Sequence, residues 1–158
     1  MKKYIGTKMV FAEPAYRYWL EDGEKLIVAH DEDKPDRVKQ ATACDDGYRV
    51  KYEDGYVSWS PKDVFENAYR ETTGISFGLA IEAAKRGERI ARKGWNGKNQ
   101  YVELACCISY VNREQMIVNA DHKNIGNKAL AFVGTSGVQI GWLASQADML
   151  AEDWYIVE

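Results

Sequence analysis

The sequence predicts an α+β protein in two parts: a small β-rich module over residues 1–73, then an α+β domain over residues 75–158 with a short antiparallel sheet and two helices. Three observations carry this. Tyr48, Val50 and Tyr52 alternate along one strand and lead through Glu53-Asp54-Gly55 into Tyr56-Val57-Ser58-Trp59, a hairpin in which the Asp54-Gly55 pair supplies the positive φ of the turn. Phe77, Ala80, Ile81 and Ala84 form one apolar stripe at helical spacing between Ser76 and Gly87. The rest of the second half breaks into short apolar runs bounded by Gly, Asn and Ser, the pattern of short strands.

In chain order, Lys3–Phe11 alternates loosely and is expected as an edge strand. Residues 21–46 are rich in Asp, Glu, Lys and Gly and contain Pro35, so they are expected as exposed loops around one weak strand, Lys25–Ala29. After the hairpin, Ser60-Pro61-Lys62-Asp63 has the residue order of a capped helix start, with Ser60 as N-cap and Pro61 at the first helical position. The helix should run through Ala68. Glu71-Thr72-Thr73-Gly74 is the linker candidate. A helix from Phe77 to Arg86 follows, then strands at Glu88–Arg92, Gln100–Ala105, Ser109–Val111 and Leu130–Val133. Gly134-Thr135-Ser136-Gly137 should turn the chain into Val138–Trp142, Ser145 and Asp148 should box a last short helix, and Trp154–Val157 should close the sheet.

Composition narrows the function. Apolar residues make up 46% and charged residues 28% of 158, which is globular rather than disordered. Residues 1–73 carry 12 Lys and Arg against 15 Asp and Glu, and residues 74–158 carry 9 of each. The net charge of −3 argues against a polymeric nucleic acid partner. No run approaches the roughly 18 apolar residues of a membrane helix, so no membrane partner is expected. Met1-Lys2-Lys3 leads into Tyr4-Ile5-Gly6-Thr7-Lys8 rather than an apolar stretch, so no secretory signal is expected. Three cysteines, two of them the neighbours Cys106 and Cys107, make no disulfide framework, and a reducing cytoplasm is expected.

Catalytic and cofactor signatures are missing from the sequence. His30 and His122 fall in different halves and Cys106-Cys107 lacks the spacing of a zinc knuckle, so no metal is expected. Neither a G-x-G-x-x-G fingerprint nor a phosphate-binding P-loop is present, and no cofactor is expected. What stands out instead is a pair of Trp motifs: Ala91-Arg92-Lys93-Gly94-Trp95-Asn96-Gly97-Lys98, and Trp142-Leu143-Ala144-Ser145-Gln146-Ala147-Asp148-Met149-Leu150-Ala151-Glu152-Asp153-Trp154. An aromatic face beside a few fixed donors and acceptors is how proteins grip a flat, polar small molecule. Trp95 beside Asn96 and Gly97 fits that use, and Trp142 fits it less clearly; Trp154, in the closing strand, reads as core. Asp148 has two compatible readings, a helix cap with Ser145 or an acceptor for ligand hydroxyls and amines. Arg92 and Lys93 also have two, a solvated basic face or the neutralisation of a pyrophosphate.

On these motifs, and on Phe77-Gly78-Leu79-Ala80 opening a helix, residues 77–158 resemble the second type of Thoeris anti-defence protein, a phage family of small "sponge" proteins. The resemblance implies that the chain binds cyclic ADP-ribose isomers made by bacterial TIR-domain proteins without cleaving them, inside the cytoplasm of an infected bacterial host. It implies cyclic dinucleotides as a further ligand class taken by some members, and a homo-oligomer, typically a tetramer, with pockets between protomers. It implies ligand contacts from Phe77, Arg92, Lys93, Trp95, Asn96, Trp142, Gln146 and Asp148. The chain departs from the family pattern at Phe132-Val133-Gly134-Thr135-Ser136-Gly137, where members often carry a Lys and an Asp, and at Gly141, where Pro is common. The run from Tyr52 to Lys62 resembles small N-terminal modules of other phage proteins, expected either to make a protein contact or to cap the oligomer. The rival readings are an enzyme that degrades the same signal and an oligomeric interaction module with no small-molecule ligand.

Overall fold

Strands β1 (Phe11–Leu20), β2 (Lys25–Ala29), β3 (Ala41–Lys51) and β4 (Val57–Pro61) pair antiparallel in the order β2-β1-β3-β4, followed by helix α1 (Lys62–Ala68). The computed structural model describes residues 7–123 and 128–158, and its contacts divide the chain into two units, Met1–Arg70 and Glu71–Glu158. In the first unit Ala15, Tyr18, Leu20, Val28, Ala29 and Val50 are buried. Phe65 stacks between Tyr48 of β3 and Tyr69, at 4.2 and 4.8 Å between centroids, which fixes α1 against the sheet. The guanidinium of Arg17 lies over the rings of Trp59 and Trp19 at 3.7 and 4.8 Å, and it pairs with Asp45 at 2.8 Å.

Three expectations for this unit need correction. The strand expected at Lys3–Phe11 lies partly outside the described residues, and Thr7–Val10 is not strand; the strand begins at Phe11 and runs to Leu20 through Pro14. Proline is tolerated there because the carbonyl of Pro14 faces the β2 side, accepting from His30 N at 3.0 Å just past the end of β2, so its absent N–H costs no ladder bond. Residues 41–46 are strand rather than loop. Their acids have cross-strand partners: Asp45 accepts from Arg17 and from the Trp19 indole at 2.8 Å each, and Asp46 faces His30 at 3.2 Å and Lys62 at 3.6 Å. Ser60 is not the helix cap. It belongs to β4, Pro61 occupies the N-cap position, and no side chain caps the helix.

In the second unit, helix α2 (Phe77–Lys85) precedes β5 (Ile90–Arg92), β6 (Tyr101–Ala105), the two-stranded pair β7 (Tyr110–Val111) and β8 (Ile117–Val118), β9 (Ala129–Gly134), β10 (Gly137–Ile140), helix α3 (Gln146–Met149) and β11 (Trp154–Ile156). The main sheet is antiparallel in the order β10-β9-β6-β5-β11. The α+β class and the antiparallel sheets agree with expectation; β8 is an addition. Trp142 leaves the expected strand because Gly141, at φ +84°, bends the chain so that Gly141 N and Trp142 N both donate to Leu130 O at 2.9 Å. Ile75, Ala80, Ala83, Ala84, Ile90, Val102 and Trp154 form the core, with Phe77 and Ile81 packed at its edge. Ser76 precedes α2 without a side-chain cap, and Gly87 ends it at φ +99° as the sequence predicts. Among the described residues no helix is long and apolar enough to cross a membrane.

Candidate functional site

Four aromatic rings lock together at the end of β5. Trp95 stands edge-on to Trp154, Phe132 and Trp142 at 5.4, 5.5 and 6.0 Å, and Trp142 meets Trp154 at 6.2 Å. Such edge-to-face pairs add to the burial of each ring and hold its orientation. Trp154 is fully buried and donates its indole N–H to the Asp148 carbonyl at 2.9 Å, so its expected place in the core is correct. Trp95 and Trp142 remain half-buried.

Electrostatics fix the Trp95 turn. Asp148 accepts from Arg92 Nη1 at 2.9 Å, Trp95 Nε1 at 3.1 Å, Ser145 N at 3.0 Å and Ser145 Oγ at 2.7 Å, and Ser145 Oγ in turn accepts from Asp148 N. The capping box read from the sequence is complete. Burial pushes the Asp148 carboxyl up, but the hydrogen bonds from Ser145, Arg92 and Trp95 outweigh it and hold the group at about 2. Asp153 accepts from Arg92 Nε at 2.8 Å and from Gly94 N at 2.9 Å. The Arg92 bond, opposed by burial and helped by Gly94, lowers its carboxyl, and the same two carboxylates keep Arg92 firmly protonated. Arg92 also donates to the Ala147 carbonyl at 3.2 Å. The trio Arg92, Asp148 and Asp153 carries a net charge of −1, so Arg92 brings no spare positive charge.

Two surface concavities flank Trp95. One, of about 370 Å3, is lined by Thr73, Arg92, Lys93, Trp95, Gly97, Asn99, Gln100 and Tyr155. The other, of about 260 Å3, is lined by Trp95, Asn96, Gly97, Gln100, Phe132, Trp142 and Asp148. The first carries the exposed ammonium of Lys93 beside the rings of Trp95 and Tyr155; the second is walled by the rings of Trp95, Phe132 and Trp142. Among the residues singled out from sequence, Arg92, Lys93, Trp95, Asn96, Trp142 and Asp148 thus come together. Phe77 and Gln146 do not join them: Phe77 packs on Trp154 at 5.5 Å, and Gln146 is exposed at the start of α3. Gln100 and Tyr155 were missed. Tyr155 was legible by alternation, because its neighbour Trp154 points into the core.

A small antiparallel α+β domain with aromatic-lined concavities beside a capped helix is the class these features define. Residues 75–157 match the Tad2-like family, described as a Thoeris anti-defense 2-like domain, and the chain belongs to that family. It is also 37% identical over 92 residues to Thoeris anti-defense 2 of Bacillus phage SP01, a stretch covering 54% of this chain and 97% of that protein.

Proposed function

We propose that this chain is a phage anti-defence protein that binds and sequesters a cyclic nucleotide immune signal, a cyclic ADP-ribose isomer, without cleaving it, and so blocks Thoeris-type defence in the cytoplasm of an infected bacterium. The observation that carries the reading is the pair of concavities around Trp95, which lie inside the segment matched to the Tad2-like family. A base can stack against the rings of Trp95, Trp142 and Phe132 in one, while a pyrophosphate meets the ammonium of Lys93 in the other. Arg92 and Asp148 serve by holding Trp95 in place, since each is committed to partners within the unit. Nanomolar capture needs about −12 kcal/mol. Assembly as a homo-oligomer, a tetramer in this reading, would deepen open concavities into enclosed pockets and supply part of that energy. Cyclic dinucleotides are the second ligand class of the proposal, which would extend it to CBASS-type defence.

The test is recovery of the ligand. The protein is saturated with a cyclic ADP-ribose isomer, separated from free ligand, heat-denatured, and the released material is chromatographed. Intact ligand in stoichiometric amount is expected; a linear or hydrolysed product would make the protein an enzyme instead.

A further inference from the structure

Gln100 lies in the wall shared by the two concavities, and its half-buried carboxamide has no hydrogen-bond partner among the described residues. The carboxamide folds over Gly97, where a Cβ would overlap it, and its Nε2 end lies 3.7 Å from where a side chain on Gly134 would begin. Gly97 therefore makes the space in which a primary amide lies, in the wall it shares with Trp95, Trp142 and Phe132, with its donor and acceptor free. The amide is open to solvent at the concavity, so both its donor and its acceptor can exchange water for a ligand.

We propose that Gln100 is the specificity-determining residue of this site, reading the edge of an adenine base stacked in the aromatic concavity. A glutamine amide matches adenine in a bidentate way: its oxygen accepts from the N6 amine and its nitrogen donates to N7. Hypoxanthine puts an acceptor where adenine has the amine, so one of the two bonds is lost and two oxygens are opposed. A site built to pair a polar group rejects the analogue that cannot pair it. Gly97 acts with Gln100, because any side chain there displaces the amide. This inference rests on the sequestration reading and names the group that selects the ligand.

The experiment is calorimetric titration of the full chain with ribose-linked cyclic ADP-ribose isomers, whose adenine N6 and N7 are free, and with their deaminated hypoxanthine counterparts. Wild type should prefer the adenine form by about tenfold or more. Gln100→Met keeps the length of the side chain but removes its hydrogen bonds, and Gly97→Ala keeps the amide but moves it. Each should bring the ratio near one, with circular dichroism unchanged. A wild-type ratio near one, or variants that keep the wild-type preference, would overturn the assignment of Gln100 while leaving sequestration standing. Absence of binding to every adenine ligand would instead remove the sequestration reading, and this assignment with it.

Discussion

The Asp148 carboxylate takes hydrogen bonds from three residues that the chain brings together from β5, the turn after it and the start of α3. Its side chain is only 13% exposed, so the low value of its carboxyl translates into stability with little loss to solvent. The folded value of about 2 lies below the ordinary 3.8. Its contribution is therefore complete above about pH 4 and is lost as pH falls through about 2; by linkage it amounts to roughly 2 kcal/mol. Asp153, also lowered, acts in the same direction. Urea unfolding of the protein between pH 6 and pH 2, read at tryptophan fluorescence, should show a loss of stability below about pH 4. Asp148→Asn should cost about 2 kcal/mol at neutral pH and reduce that acid slope. A variant with an unchanged slope would mean that other carboxylates carry the acid sensitivity.

At the scale of elements, the first unit offers a sharp test of close approach. A Cβ on Gly47 of β3 would overlap the Ser60 carbonyl and the Trp59 ring on neighbouring β4, and the backbone oxygen cannot swing aside as a side chain can. Gly47→Ala should therefore weaken the β3–β4 pairing by about 2 kcal/mol or more, measured as a fall in urea midpoint. The same elements show what a sequence discloses and what it withholds. The β3–β4 hairpin and the α3 capping box were legible because their signals are local: alternation with an Asp54-Gly55 turn in one, Ser145 and Asp148 three residues apart in the other. β1 was not legible, since Pro14 reads as a breaker until His30 is known to sit opposite it. The strand character of 41–46 depends on Arg17 and Trp19, more than twenty residues away, which pair with Asp45. At the site, the Trp residues announced themselves by type. Gln100 did not, because its position over Gly97 is set by the fold and not by a motif.

For the whole molecule, each unit has its own antiparallel sheet and its own buried residues, and the family match at 75–157 falls within the second. A fragment of residues 71–158 should therefore fold alone and bind ligand with the dissociation constant of the full chain, as read by circular dichroism and titration. A fragment that folds but binds more weakly would give residues 1–70 a part in ligand capture. The central claim is that the concavities around Trp95 hold a cyclic nucleotide, and calorimetric titration of the intact protein with cyclic ADP-ribose isomers and cyclic dinucleotides tests it most directly. The account predicts saturable, submicromolar binding of at least one cyclic ADP-ribose isomer, lost in Lys93→Ala and Trp95→Ala variants that keep their fold. Absence of heat with every ligand, or binding indifferent to both substitutions, would contradict it.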